Sequence, residues 1–171
     1  MRIAPIEPGT RPELAEIEAS IAQQRGRISP LYQVLLNSPP MAAGWEKMLT
    51  AVRRHNTLPD DVRELVIVRV AVLNHARFEY DAHVPIALKA GATQAKIDAL
   101  DDDSRIGEGL SEAEQVLIEL TDAMTRQLDV PDALYERVRA LYDERQVVDA
   151  MVTIAAYNMV SRFLVALHIG H

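Results

Sequence analysis

From Leu65 to Leu73 almost every position is apolar, and at Asn74-His75 the pattern turns polar. A helix that is apolar on nearly all sides is buried all round, so Pro59 to about Asn74 reads as a central helix. Thr57 is placed to cap it, and Asp60 and Asp61 fall in the first turn, where the helix dipole favours negative charge. His75-Ala76-Arg77 reads as a short break. Glu79 to Ala90 reads as the next helix, stopped by Gly91, with Pro85 expected to bend it.

The rest of the chain follows the same logic. Residues 1–12 hold three prolines and a glycine and read as an extended lead-in. Helices are predicted over Glu13–Gln24, Leu31–Asn37 and Met41–His55, the last with Trp45, Met48, Leu49 and Val52 at helical spacing. Gln94–Leu100 follows Thr93 as cap. Ser111 and Glu114 form a capping box for a helix to about Arg126. Asp132–Glu144 and a long Val147–Leu167 complete the set, and His168 and His171 read as chain-end residues. Asp101-Asp102-Asp103-Ser104 reads as a solvated turn, because it lacks the spacing of a calcium loop. No linker composition interrupts the sequence, so residues 1–171 are expected to form one all-α domain. A helix as buried as Pro59–Asn74 in so short a chain also argues for an oligomer.

Composition narrows the function. The 171 residues include 9 Pro and 7 Gly, so long stretches are free of helix breakers. The net charge is -7, and no Lys/Arg run exceeds Arg53-Arg54, which speaks against nucleic acid as a partner. The run at Leu65–Leu73 is too short for a membrane span and is interrupted by Arg69, so no membrane partner is expected. The N-terminus lacks a signal pattern, which makes the cytoplasm the default. Cysteine is absent, which removes disulfides, thiolate metal sites and any cysteine nucleophile.

The candidate chemistry lies around the central helix. Glu79 and His83 are four apart and share a helix face. Glu64 stands on the preceding, antiparallel helix. Spacing alone leaves three readings open: an exposed ion pair, an acid–base cluster, and a two-carboxylate, one-histidine metal set. His75 and Tyr80 could line such a site. Arg77 or Arg162 could bind a substrate carboxylate.

Three segments, spread over roughly Pro30 to Gly170, resemble the carboxymuconolactone decarboxylase family, which includes the alkylhydroperoxidase D-like proteins. Arg63-Glu64-Leu65 with its apolar run resembles the helix that supplies the family's Glu. Phe78-Glu79-Tyr80-Asp81-Ala82-His83 resembles the active-site helix. Tyr157-Asn158 with Arg162-Phe163 resembles the closing helix. The resemblance implies an alkylhydroperoxidase D-like helical bundle assembling as trimers or hexamers. The two cysteines of the family's peroxidase branch would fall at Ala76 and Glu79, and its second relay histidine at Phe78. Thiol-based peroxide reduction is therefore not expected. The relay Glu and His match Glu64 and His83.

The expectation is a cofactor-free, metal-free lyase or isomerase acting on a small carboxylated or lactone substrate. His83 is its base or proton shuttle, Glu64 orients it, and Glu79 is a second acid. The competing expectation is a non-catalytic oligomeric scaffold that kept the fold and lost the chemistry.

Overall fold

The computed structural model describes residues 1–170, so the expectation for His171 lies outside the described residues. Among them the chain is 71% helical with no strand, all-α as the pattern predicts. A 3₁₀ turn at Pro12–Leu14 leads into α1 (Ala15–Arg25), α2 (Pro30–Leu35) and α3 (Pro39–Arg54). There follow α4 (Asp60–Leu73), α5 (Arg77–Ala90), α6 (Gln94–Leu100), α7 (Glu112–Arg126), α8 (Asp132–Leu141) and α9 (Glu144–Leu167). The helices gather into two compact units: Met1–His55 with the chain end from Ala166, and Asn56–Val165. Nothing in the composition around His55-Asn56 marks that division.

In the first unit α1 packs on α3. Gly26, at φ +77, lets the chain leave α1 in the left-handed conformation, which costs a glycine nothing. Arg25 then ties three elements, donating to the Tyr32 hydroxyl at 3.2 Å and to Thr50 Oγ1 at 3.1 Å. The lead-in is extended as expected, and it is pinned: the Ile6 N–H donates to Gln33 O at 3.0 Å and the Arg2 N–H to Leu167 O at 2.8 Å.

In the second unit α4 packs against α5, α6 and α7. Every residue from Arg63 to Ala71 is buried, so the all-round burial is met within the chain and by itself requires no second copy. Leu65 and Val68 form one apolar cluster with Ala87, Ile97, Leu100 and Ile118. Arg69 is only 1% exposed. Burying a guanidinium is tolerable only if its donors are satisfied. Nε and Nη2 grip both oxygens of Asp122 at 2.7 Å, Nη2 also reaches Asp103 at 2.7 Å, and Nη1 donates to Leu100 O at 2.6 Å. Asp103 is thus a fastening of the loop before α7, not a merely solvated turn residue. Arg126 and Arg69 beside it hold its carboxyl down to about 2.

The capping box at Ser111 and Glu114 forms as predicted. Thr57 does not cap α4. Its N–H and hydroxyl are both taken by Asp149 Oδ2, at 2.8 and 2.6 Å, and the helix begins three residues later behind Pro59. The long helix expected over Val147–Leu167 forms as α9, beginning three residues earlier at Glu144. By length and composition α9 could cross a membrane, with mean hydropathy 1.5 over its most apolar window and half of that window buried inside the protein. Its buried face carries Ile154, Tyr157, Asn158 and Ser161, the pattern of a core helix.

Candidate active site

The turn between α4 and α5 sets the site. The N–H of Ala76 donates to Ala71 O at 2.9 Å and that of His75 to Val72 O at 3.0 Å, the paired bonds of a Schellman closure. The residue at its left-handed position is usually Gly; here it is His75, at φ +54. Asn74 holds the end of α4 to α9, its Nδ2 donating to Asn158 Oδ1 at 3.0 Å. Asn158 in turn donates to Thr125 Oγ1 of α7 at 2.9 Å. Three helices are thereby fixed around the start of α5.

On that frame Glu64, Glu79 and His83 converge. His83 Nδ1 lies 2.6 Å from Glu64 Oε2, and Nε2 lies 3.0 Å from Glu79 Oε1. Their exposures are 1%, 6% and 3% for Glu64, Glu79 and His83. The surface ion-pair reading of Glu79 and His83 therefore falls. Tyr157 of α9 meets the imidazole edge-on, ring centroids 5.1 Å apart. Burial pulls the His83 pKa down, but hydrogen bonds and charge from Glu64 and Glu79 outweigh it and raise the value from 6.5 to about 8. At neutral pH the ring is thus mainly an imidazolium donating to a carboxylate on each side.

Both ring nitrogens of His83 face a carboxylate oxygen. Among the described residues no group of three or more His, Asp or Glu is disposed to hold a metal ion.

Three of the four predicted substrate-binding residues come together. His75, Arg77 and Tyr80 line a cavity of about 240 Å³ with Ala71, Val72, Ala76 and Asp101. It opens at the first turn of α5, and Glu64, Glu79 and His83 are not among the residues that line it. The Arg77 guanidinium stacks 5.0 Å over the Tyr80 ring and is held by Asp81 at 2.7 Å. Burial, with Asp101 nearby, raises the Tyr80 pKa. Arg162 is not part of this group: it is exposed on α9 and does not line the cavity.

One residue at the site was missed. Arg63, on α4 beside Glu64, is 7% exposed. Its Nη2 donates to Glu64 Oε1 at 3.3 Å and its Nη1 to Asp60 Oδ1 at 2.7 Å. Its position within a helix expected to be buried all round was the available signal, since a cation there needs an anion.

Comparison with known proteins follows the same line. The pattern of the carboxymuconolactone decarboxylase family matches residues 39–122. An uncharacterized protein of Bacillus subtilis, YdfG, is 33% identical over 116 residues, which is 67% of this chain and 78% of YdfG. Among solved structures, a variant of the debrominase Bmp8 in complex with 2,3,4-tribromopyrrole superposes with a TM-score of 0.81 at 14% identity, covering 98% of this chain and 90% of that one. An alkylhydroperoxidase AhpD core, an uncharacterized peroxidase-related protein of Ralstonia eutropha, gives 0.80 at 14% identity over 96% and 88%. At such identities the structural likeness is one of fold.

Proposed function

The chain belongs to the carboxymuconolactone decarboxylase family, and for it we propose cofactor-free acid–base chemistry, as a lyase or isomerase, on a small carboxylated or lactone substrate. The observation that carries this reading is the buried carboxylate–imidazole–carboxylate chain Glu64–His83–Glu79. The cavity at the first turn of α5, with His75, Arg77 and Tyr80 on its wall, is the proposed substrate pocket.

The roles we assign differ from those expected of the sequence. Both His83 nitrogens are engaged, so the ring is the proton store and not the group that meets the substrate. Glu79 is the least buried of the three, and its Oε2 is the oxygen His83 does not engage. Glu79 is therefore the proton carrier at the reacting carbon. In a decarboxylation the C–C bond to the leaving carboxylate breaks and CO2 departs. The electron pair enters an enolate, and one proton from the His83–Glu79 pair goes to carbon. Solvent returns that proton to the pair. In an isomerisation Glu79 takes a proton from one carbon and returns it to another while the charge on His83 stays in place. Glu64 keeps the ring oriented in both.

Assembly belongs to the same reading. Val148, Val152 and Met159, 59%, 44% and 37% exposed, recur with Ala155 along one side of α9. An apolar stripe of that length suits contact with a second copy, in a trimer or hexamer.

The test is a panel of carboxylated lactones, with CO2 release and loss of the ring chromophore as readouts. Wild-type turnover is expected, reduced about 100-fold or more in Glu79→Gln and His83→Ala. Turnover unchanged in His83→Ala sinks the assignment. Ligand binding without turnover, and without pH dependence near the His83 titration, favours the non-catalytic scaffold instead. Peroxide consumption driven by a thiol reductant would contradict the reading of a chain without cysteine.

A further inference from the structure

Glu64 is sandwiched. One of its oxygens faces His83 Nδ1 at 2.6 Å and the other accepts from Arg63 Nη2 at 3.3 Å. Arg63 is itself buried, and its Nε lies inside the protein without a hydrogen-bond partner. The second anion it touches, Asp60, has a side chain 74% exposed. Solvent therefore screens Asp60, whereas the Arg63–Glu64 contact is sealed.

The charges around His83 can be named element by element. Its own helix, α5, supplies Glu79; α4 supplies Glu64 with Arg63 behind it; α9 supplies the Tyr157 ring. With the imidazole protonated, two buried carboxylates face two buried cations and the group is neutral. With the imidazole neutral, the group carries one net negative charge. If Arg63 were absent, loss of the proton would leave two buried carboxylates with no cation at all, a far less favourable state at low dielectric.

We propose that Arg63 is a positioning residue for the site: by holding Glu64 ionised from the side away from His83, it sets how readily His83 gives up its proton. An arginine suits the task because its guanidinium cannot be deprotonated in a protein, so the balancing charge stays fixed while the imidazole cycles. The inference rests on the acid–base reading above, but its primary readout does not use turnover.

The experiment is an NMR titration of the His83 ring in the full-length protein, wild type against Arg63→Gln and Arg63→Lys. Glutamine can still donate to Glu64 but brings no charge; lysine keeps the charge and loses the planar fork. The His83 midpoint is expected to rise by about one pH unit in Arg63→Gln and to stay near the wild-type value in Arg63→Lys. An unmoved or lowered midpoint in Arg63→Gln overturns the proposal, and so does a rise in Arg63→Lys as large as one expected for the neutral variant. Should only the lysine variant fold, its midpoint still decides. Where turnover is found, the alkaline limb of kcat should move with the midpoint while KM does not. If the midpoints move as expected and no substrate turns over, Arg63 keeps its role in the charge balance and the catalytic reading alone falls.

Discussion

Because Glu64 is the first of the two carboxylates that raise the His83 pKa, Glu64→Gln should make the protein's stability respond to pH in one particular way. The His83 pKa stands at about 8 in the folded protein against an ordinary 6.5. Each unit corresponds to about 1.4 kcal/mol, so the charged ring contributes about 2 kcal/mol to folding. The folded value is the raised one. The contribution is therefore complete below about pH 6.5, declines as pH climbs through about 8, and is gone near pH 9.5. In Glu64→Gln one raising partner is lost while burial still opposes the charge, so the midpoint falls. Urea unfolding followed by circular dichroism, from pH 6 to 9.5, gives the stability of both proteins. The deficit of the variant should be largest at pH 6 and shrink, by up to about 2 kcal/mol, by pH 9.5. A deficit that is flat across the range, or that grows with pH, refutes the double clamp on His83.

Three further outcomes follow from other parts of the fold. Asp122→Asn takes the bidentate partner from the buried Arg69 and should cost about 3 kcal/mol in urea unfolding. Asp103→Asn, at a side chain 62% exposed, should cost under about 1 kcal/mol; equal losses would contradict that ranking. At His75, φ +54, Gly should be more stable than Ala by about 1 kcal/mol, as thermal unfolding of the two variants would register. Both should weaken substrate binding in the adjoining cavity. Val152→Glu on the α9 stripe should lower the molar mass by light scattering, and an unchanged mass would remove that stripe from the proposed assembly.

What could be read from the sequence was what depends on near neighbours. The i,i+4 spacing placed Glu79 and His83 on one face, the apolar run made α4 central, and Ser111 with Glu114 announced α7. Glu64 was legible only as a candidate, because its meeting with His83 depends on how α4 and α5 pair across nineteen positions. The misses share one cause. Asp103 and Asp122 find Arg69 over sequence separations of 34 and 53, and Asp149 takes Thr57 from 92 residues away. A loop acid that ends on a buried guanidinium has the same local sequence as one that ends in water. Arg69 itself held the information: a cation in a run expected to be fully buried requires carboxylates somewhere, even if the pattern does not name them. Arg63 obeyed the same rule one turn and a half earlier.

Burial of Glu64, Glu79, His83 and Arg63 also bears on whether the site is there for stability. Taking ions out of water is expensive, and a buried ion pair is frequently no more stable than apolar side chains of similar volume. A scaffold selected for its fold alone would gain nothing from this cluster. Replacing one member should be costly, since it strands the others: Glu64→Leu by itself leaves Arg63 and His83 facing a hydrocarbon, at a cost of about 3–5 kcal/mol. Replacing all four together, as Arg63→Met, Glu64→Leu, Glu79→Leu and His83→Phe, removes the buried charges as a set. The quadruple variant should recover most of that loss and match or exceed wild type by about 1 kcal/mol or more in urea unfolding at pH 7. Such recovery would mean that the cluster costs the fold something, which points to retention for its chemistry. A quadruple variant less stable than Glu64→Leu would mean instead that the polar network holds α4, α5 and α9 together, and the case for catalysis would have to rest on turnover alone.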